Sequence, residues 1–146
     1  MSDEISPAVP LRHVFVYGTL RRGGINDINR LHPPPRFVAA ARVKGTLYHL
    51  GAYPGMTLGG DAWVQGEVYA IDPQLEPALD EIEDLGSHPT DEYVKREIWV
   101  DVSGDAFCCL VYEINPKYAR PELRVQEGDW MKAIANTAQQ GPKNMC

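Results

Sequence analysis

The sequence predicts an α+β fold, a mixed and curled sheet or small β-barrel with flanking helices, on two observations. From His13 to Ile114 most of the chain breaks into β-branched and aromatic runs separated by glycine and proline turns. A single stretch in that span, Pro73 to Asp84, switches to helical spacing. Strands outnumber helices, so the helices must pack on a sheet rather than on one another.

The chain has 146 residues, the usual size of one domain, and neither a repeat nor a linker divides it. A single domain over residues 1–146 is therefore expected, with residues 1–11 and 139–146 as loose tails. The apolar fraction of 44% is enough for a core. A net charge of −6 argues against a nucleic-acid surface. No apolar run reaches the length of a bilayer span, and the polar, acidic N-terminus lacks the apolar core of a signal peptide. Three cysteines do not suggest a disulfide framework, so a reduced, cytoplasmic protein is expected.

The first strand covers about Arg12 to Tyr17 and stops at Gly18-Thr19. Read alone, Val16 to Arg21 is a strand ending at a glycine turn. The same corner is also able to present bare backbone N–H groups to an anion or a carbonyl. Residues 21–36 hold two glycines and the triple proline Pro33-Pro34-Pro35, leaving room for one short helical turn near 26–31. Phe37 to Tyr48 reads as one or two strands, with Val43, Leu47 and Tyr48 as core candidates. Leu50 to Gly55 reads as a loop, and Gly59-Gly60-Asp61 as a second turn. Trp63 to Ile71 is a strand, with Val64, Gly66, Val68 and Ala70 on one face.

Asp72 and Pro73 are a good helix start, a capping side chain followed by proline at the first position. Leu75, Ala78, Leu79 and Ile82 form the apolar stripe. Pro77 disturbs the first turn, and Gly86 and Pro89 end the helix. Tyr93 to Val102 and Ala106 to Ile114 flank the Ser103-Gly104-Asp105 turn as a hairpin. Adjacent Cys108 and Cys109 then point to opposite faces. Gly128-Asp129-Trp130 opens a short helix near 130–138.

Several chemistries fail on spacing. Gly18 to Gly23 has the G-x-x-x-x-G interval, but Gly24-Ile25 follows where a phosphate loop needs Lys and Ser or Thr. His13, His32, His49 and His88 have no metal-ligand spacing, and no serine sits in a G-x-S-x-G elbow. Glu83 lies on the flank of the helix stripe, where it can lean into a partly dry pocket. Desolvation and the like charge of Asp80 would both raise its pKa into the range of a general acid/base. Spacing alone favours a solvated acidic face on an acidic protein. Tyr93 is able to hydrogen-bond a ligand, although a buried tyrosine with a satisfied hydroxyl is commoner.

The order of motifs is more specific than any one of them. Val16-Tyr17-Gly18-Thr19-Leu20-Arg21 is followed by Gly45-Thr46-Leu47-Tyr48, Tyr53-Pro54-Gly55 and Val64-Gln65-Gly66-Glu67-Val68-Tyr69. Leu79-Asp80-Glu81-Ile82-Glu83 and Tyr93-Val94-Lys95-Arg96 complete the series. It resembles the γ-glutamylcyclotransferase-like family, which includes AIG2-like proteins and γ-glutamylamine cyclotransferases. The resemblance implies a small mixed β-barrel with flanking helices. It also implies a reaction in which a γ-glutamyl amide or peptide is cut by its own α-amine, releasing 5-oxoproline and a free amine. Glu83 would be the acid/base. Tyr17, Gly18, Thr19, Leu20 and Tyr93 would hold the small-molecule γ-glutamyl substrate. No cofactor, metal, nucleic acid or membrane is implied, and the protein is expected as a monomer or weak homodimer. The alternative is a non-catalytic metabolite-binding module of the same fold. Arg21 and Arg22 stay open between substrate contact and solvated charge.

Overall fold

The computed structural model describes residues 12–50, 53–82, 92–126 and 128–135. The expected tails, the loop before Tyr93 and the end of the middle helix lie outside these residues. Six strands form one sheet: β1 (Arg12–Val16), β2 (Arg36–His49), β3 (Pro54–Ile71), β4 (Tyr93–Val102), β5 (Asp105–Ile114) and β6 (Arg124–Val125). Their spatial order is β4-β5-β1-β3-β2-β6. The sheet is mixed, since β1 runs parallel to β5 and antiparallel to β3. It curls without closing, because the outer strands β4 and β6 are not paired with each other. A barrel is thus a loose description of a strongly bent sheet. Where β1 ends, β3 reaches β5 directly, at Met56 and Glu113.

Period-two alternation explains why the central strands are apolar almost throughout. Val14, Val16, Tyr69, Ile71, Leu110, Tyr112 and Ile114 face one core cluster, together with Leu75 and Leu79. Phe15, Val64, Val68, Cys109 and Val111 face the other, with Leu47, Met56 and Trp130. Both faces of β1 are covered, so Val14-Phe15-Val16-Tyr17 reads as a continuous run. Leu47 is fully buried as expected, whereas Val43 and Tyr48 are only partly buried.

The helical segment begins as the capping chemistry requires. The Asp72 side chain accepts from the Gln74 N–H, and Pro73 follows in a short 3-10 turn. The α-helix proper, α1 (Glu76–Ile82), starts one residue before Pro77. Proline is tolerated there because first-turn N–H groups have no partner within the helix. A second 3-10 turn, Ile28–Arg30, occupies the place expected for one helical turn and is capped by Asp27. Residues 130–135 are helical.

The turn expected at Gly59-Gly60-Asp61 is not a turn between strands. β3 continues through it, and the ladder with β2 passes from Lys44↔Trp63 to Gly45↔Leu58. Residues 59–62 therefore bulge out of one long strand. Gly59 and Gly60 have φ of 95° and 86°, a region that side chains disfavour. For the same reason the loop expected over Leu50 to Gly55 ends early, since Pro54 and Gly55 already pair with β2.

Cys109 is buried and Cys108 is exposed, as alternation requires. Burial, with Cys108 beside it, pushes the Cys109 thiol up to about 12. Thiolates are the reactive form. Under native conditions an alkylating reagent is expected to modify Cys108 and spare Cys109. Peptide mapping checks this, and equal modification of the two would contradict the register of β5.

Candidate active site

A cavity of about 140 Å³ opens where β1 ends, and Gly18, Thr19, Leu20, Asn26, Pro54 and Ile82 contribute to its lining. Tyr17, Tyr53, Glu92, Tyr93 and Tyr112 add a tyrosine-rich wall, and Phe15 and Val16 complete the lining. Tyr17 to Leu20 arrive from the end of β1, and Tyr93 from the start of β4. The structure thus gathers all five residues that the sequence nominated for substrate. Glu83 lies outside the described residues. It follows Ile82 in the chain, and Ile82 lines the cavity. Of the expected apolar stripe, Leu75 and Leu79 are buried, whereas Ile82 is 37% exposed.

The corner after β1 is shaped by its own carbonyls. Gly18, Thr19, Leu20 and Arg21 accept from the N–H groups of Arg21, Asn26, Ile28 and Gly24 respectively, at 2.8–3.0 Å. The Asn26 side chain also donates to Thr19 Oγ1. Among the described residues, no acceptor is found for the N–H groups of Gly18, Thr19 or Leu20. Consecutive N–H groups of this kind form a concavity suited to an anion or a developing oxyanion.

Only glycine fits at position 18. A Cβ there would sit 2.5 Å from Pro54 Cγ and 2.9 Å from Cδ. Gly18→Ala must displace Pro54, whose carbonyl accepts the Tyr93 hydroxyl at 2.6 Å. A loss of about 1–3 kcal/mol of stability is expected, as for other overpacked sites. Ligand affinity should fall with it, because Pro54 is a wall of the cavity. Urea titration alongside ligand binding checks both, and an unchanged midpoint would contradict the contact.

The hydroxyls of the cavity tyrosines have defined tasks. Tyr17 donates to the Tyr112 carbonyl at 2.6 Å and accepts from the Met56 N–H at 3.1 Å. It therefore ties β3 to β5 at the point where β1 leaves the sheet. Tyr93 commits its proton to Pro54, so it meets the cavity with its ring wall. Tyr53 lies 3.0 Å from both oxygens of Glu92.

Arg21 and Arg22 have different surroundings. Arg21 is 14% exposed and bridges Glu67 at 3.1 Å and Asp129 at 3.0 Å. It is a clamp between the corner, β3 and the start of the C-terminal helix. Arg22 is exposed, with its guanidinium 4.7 Å over the Phe37 ring. Glu67 also accepts from the Arg22 N–H and the Tyr69 hydroxyl. Burial, reinforced by Glu67, pushes the Tyr69 hydroxyl up to about 12, so it stays a donor.

Asp80 does not act as the bare negative charge expected beside Glu83. It accepts from Lys95 Nζ at 3.0 Å and from the Tyr112 hydroxyl at 2.8 Å. Lys95 also pairs with Glu76 at 2.6 Å. Burial alone would lower the Lys95 pKa, but the two carboxylates outweigh it and raise it. A fixed ammonium beside Asp80 offsets the repulsion that a neighbouring carboxylate would otherwise feel.

Glu67, Asp129, Tyr53, Glu92 and Tyr112 were not singled out from sequence. Tyr53-Pro54-Gly55 and Gly66-Glu67-Val68 were visible as motifs without a role. Asp129 was marked only as part of a helix start, and nothing in the sequence tied it to Arg21, 108 positions away. Among the described residues no group of three or more His, Cys, Asp or Glu could hold a metal ion. No helix there is long and apolar enough to cross a membrane.

The family model described as "Gamma-glutamyl cyclotransferase, AIG2-like" matches residues 14–132. A Vibrio cholerae protein named "Putative gamma-glutamylcyclotransferase" is 34% identical over 121 residues, covering 83% of this chain and 96% of that protein. The crystal structure of an AIG2-like protein from Mus musculus superposes with a TM-score of 0.65 at 29% identity, over 78% of this chain and 82% of that one. YkqA from Bacillus subtilis shares the fold, with a TM-score of 0.67 at 24% identity over 90% of this chain. The chain spans 43% of YkqA's length. The match over residues 14–132 takes in both the corner after β1 and the middle helix, and this chain belongs to the γ-glutamyl cyclotransferase, AIG2-like family.

Proposed function

We propose that the protein releases 5-oxoproline and a free amine from a γ-glutamyl amide or peptide. The observation that carries this reading is the cavity at the end of β1. Gly18, Thr19 and Leu20 line it, and no acceptor is found among the described residues for their N–H groups. Family membership supplies the reaction class.

The substrate's α-nitrogen attacks its own side-chain carbonyl carbon. A ring C–N bond forms, and the original amide C–N bond breaks. The proton lost by the attacking nitrogen passes to the Glu83 carboxylate, which returns it to the departing amine. One carboxyl serves both steps, and water, oxidant and reductant take no part. Because both reacting groups belong to one molecule, holding the chain folded can supply much of the barrier reduction, up to about 7–11 kcal/mol. The Gly18–Leu20 N–H groups would hold the substrate carboxylate or the oxyanion, and the Tyr17 and Tyr93 rings would flank the carbon chain.

A mass-spectrometric screen for 5-oxoproline over γ-glutamyl amines, γ-glutamyl dipeptides and γ-glutamyl-ε-lysine tests the reading. Production of 5-oxoproline with equimolar amine supports it. Saturable binding without turnover of any substrate, or amine release without 5-oxoproline, overturns it.

A further inference from the structure

On a part of the molecule outside the cavity, β2 and β4 run alongside each other without pairing. The cleft between them is lined by Arg42, Lys44, Trp63, Ile98, Trp99 and Asp101, among others. Trp99 is 73% exposed and Trp63 is 39% exposed. The Arg42 guanidinium lies 4.2 Å, and the Lys44 ammonium 4.8 Å, from the centre of the Trp63 ring. Neither cation has an anionic partner among the described residues, and Asp101 has no cationic partner among them.

We infer that this patch is the contact between two copies of the chain, related by a two-fold axis near Trp99. The patch is self-complementary. Its β2 side carries two cations and its β4 side one anion, none with an ion-pair partner among the described residues, and Trp63 and Trp99 line the same cleft. A two-fold rotation sets the cationic side of each copy against Asp101 of the other. It also buries Trp99 at the centre, where tryptophan and arginine contribute most to binding. A small anionic ligand accounts for the cations but leaves Asp101 repelling it. A second copy uses all three charges twice.

Sedimentation velocity of the full chain across a concentration series tests the contact, with circular dichroism as the folding control. The wild type is expected to dimerise, and to weaken as salt screens the charge pairs. Trp99→Lys should remove the dimer at concentrations where the wild type forms it, and so should Asp101→Lys alone. The doubly reversed Arg42→Glu/Lys44→Glu variant should also be monomeric. Mixing it with Asp101→Lys should restore a dimer, since each charge pair is then attractive again. A wild type that stays monomeric throughout overturns the inference. So does a dimer that survives Trp99→Lys, or a folded mixture that fails to reassociate.

Discussion

Glu83→Gln is expected to reduce 5-oxoproline release by about 10²–10⁴-fold, the usual contribution of a positioned acid/base group. Glutamine keeps the length and planarity of the side chain but can neither take nor return a proton at neutral pH. Binding of a substrate or of 5-oxoproline should persist, because the Gly18–Leu20 N–H groups are untouched. The loss therefore belongs in kcat. Glu81→Gln is the matched control. Glu81 is exposed on α1, and its replacement should leave the rate unchanged. Asp80→Asn should behave differently from both. It weakens the Lys95 and Tyr112 contacts, so its first effect is a lower unfolding midpoint. Steady-state kinetics of the three variants, with thermal melts, separates these cases. Full activity in Glu83→Gln would remove Glu83 from the mechanism.

The largest stability effect is expected from Arg21→Met. The three side chains of the clamp are only 12–14% exposed. Removing the guanidinium leaves Glu67 and Asp129 without their compensating charge. Breaking a buried pair from one side costs about 3–5 kcal/mol, and the residual exposure puts this case near about 3 kcal/mol. The effect should not be confined to stability. Arg21 immediately follows Gly18, Thr19 and Leu20, which line the cavity, so loosening it should raise KM as well. Arg21→Lys should recover part of the loss, since a compact ammonium cannot reproduce the fork that reaches two carboxylates. A double-mutant cycle with Glu67→Gln in urea should show coupling, because the second change removes one stranded charge. Additive losses would mean that Arg21 stabilises the corner by packing alone.

The elements were legible because they rest on local rules. Alternation along Trp63–Ile71, the Asp72-Pro73 cap and the turn between β4 and β5 each involve residues close in the chain. The bounds of β1, β2, β4 and β5 followed to within a few residues, whereas β3 starts at Pro54 rather than at Trp63. Gly59-Gly60 shows the limit. A glycine pair signals positive φ, but whether the chain turns or bulges depends on the partner strand, and β2 continues past it.

The candidate site divides the same way. The sequence alone marked the corner after β1 and the burial of Leu75 and Leu79, and its family resemblance nominated Tyr17 to Leu20, Glu83 and Tyr93. Only the tertiary structure decided what those groups are able to do. Arg21 became a clamp because residues 46 and 108 positions away converge on it. Asp80 was neutralised by a lysine on β4. Tyr17 and Tyr93 lent their hydroxyls to strand carbonyls rather than keeping them for a ligand. Such pairings leave no periodic trace, because nothing in the spacing of one segment encodes which distant segment the curled sheet will bring against it.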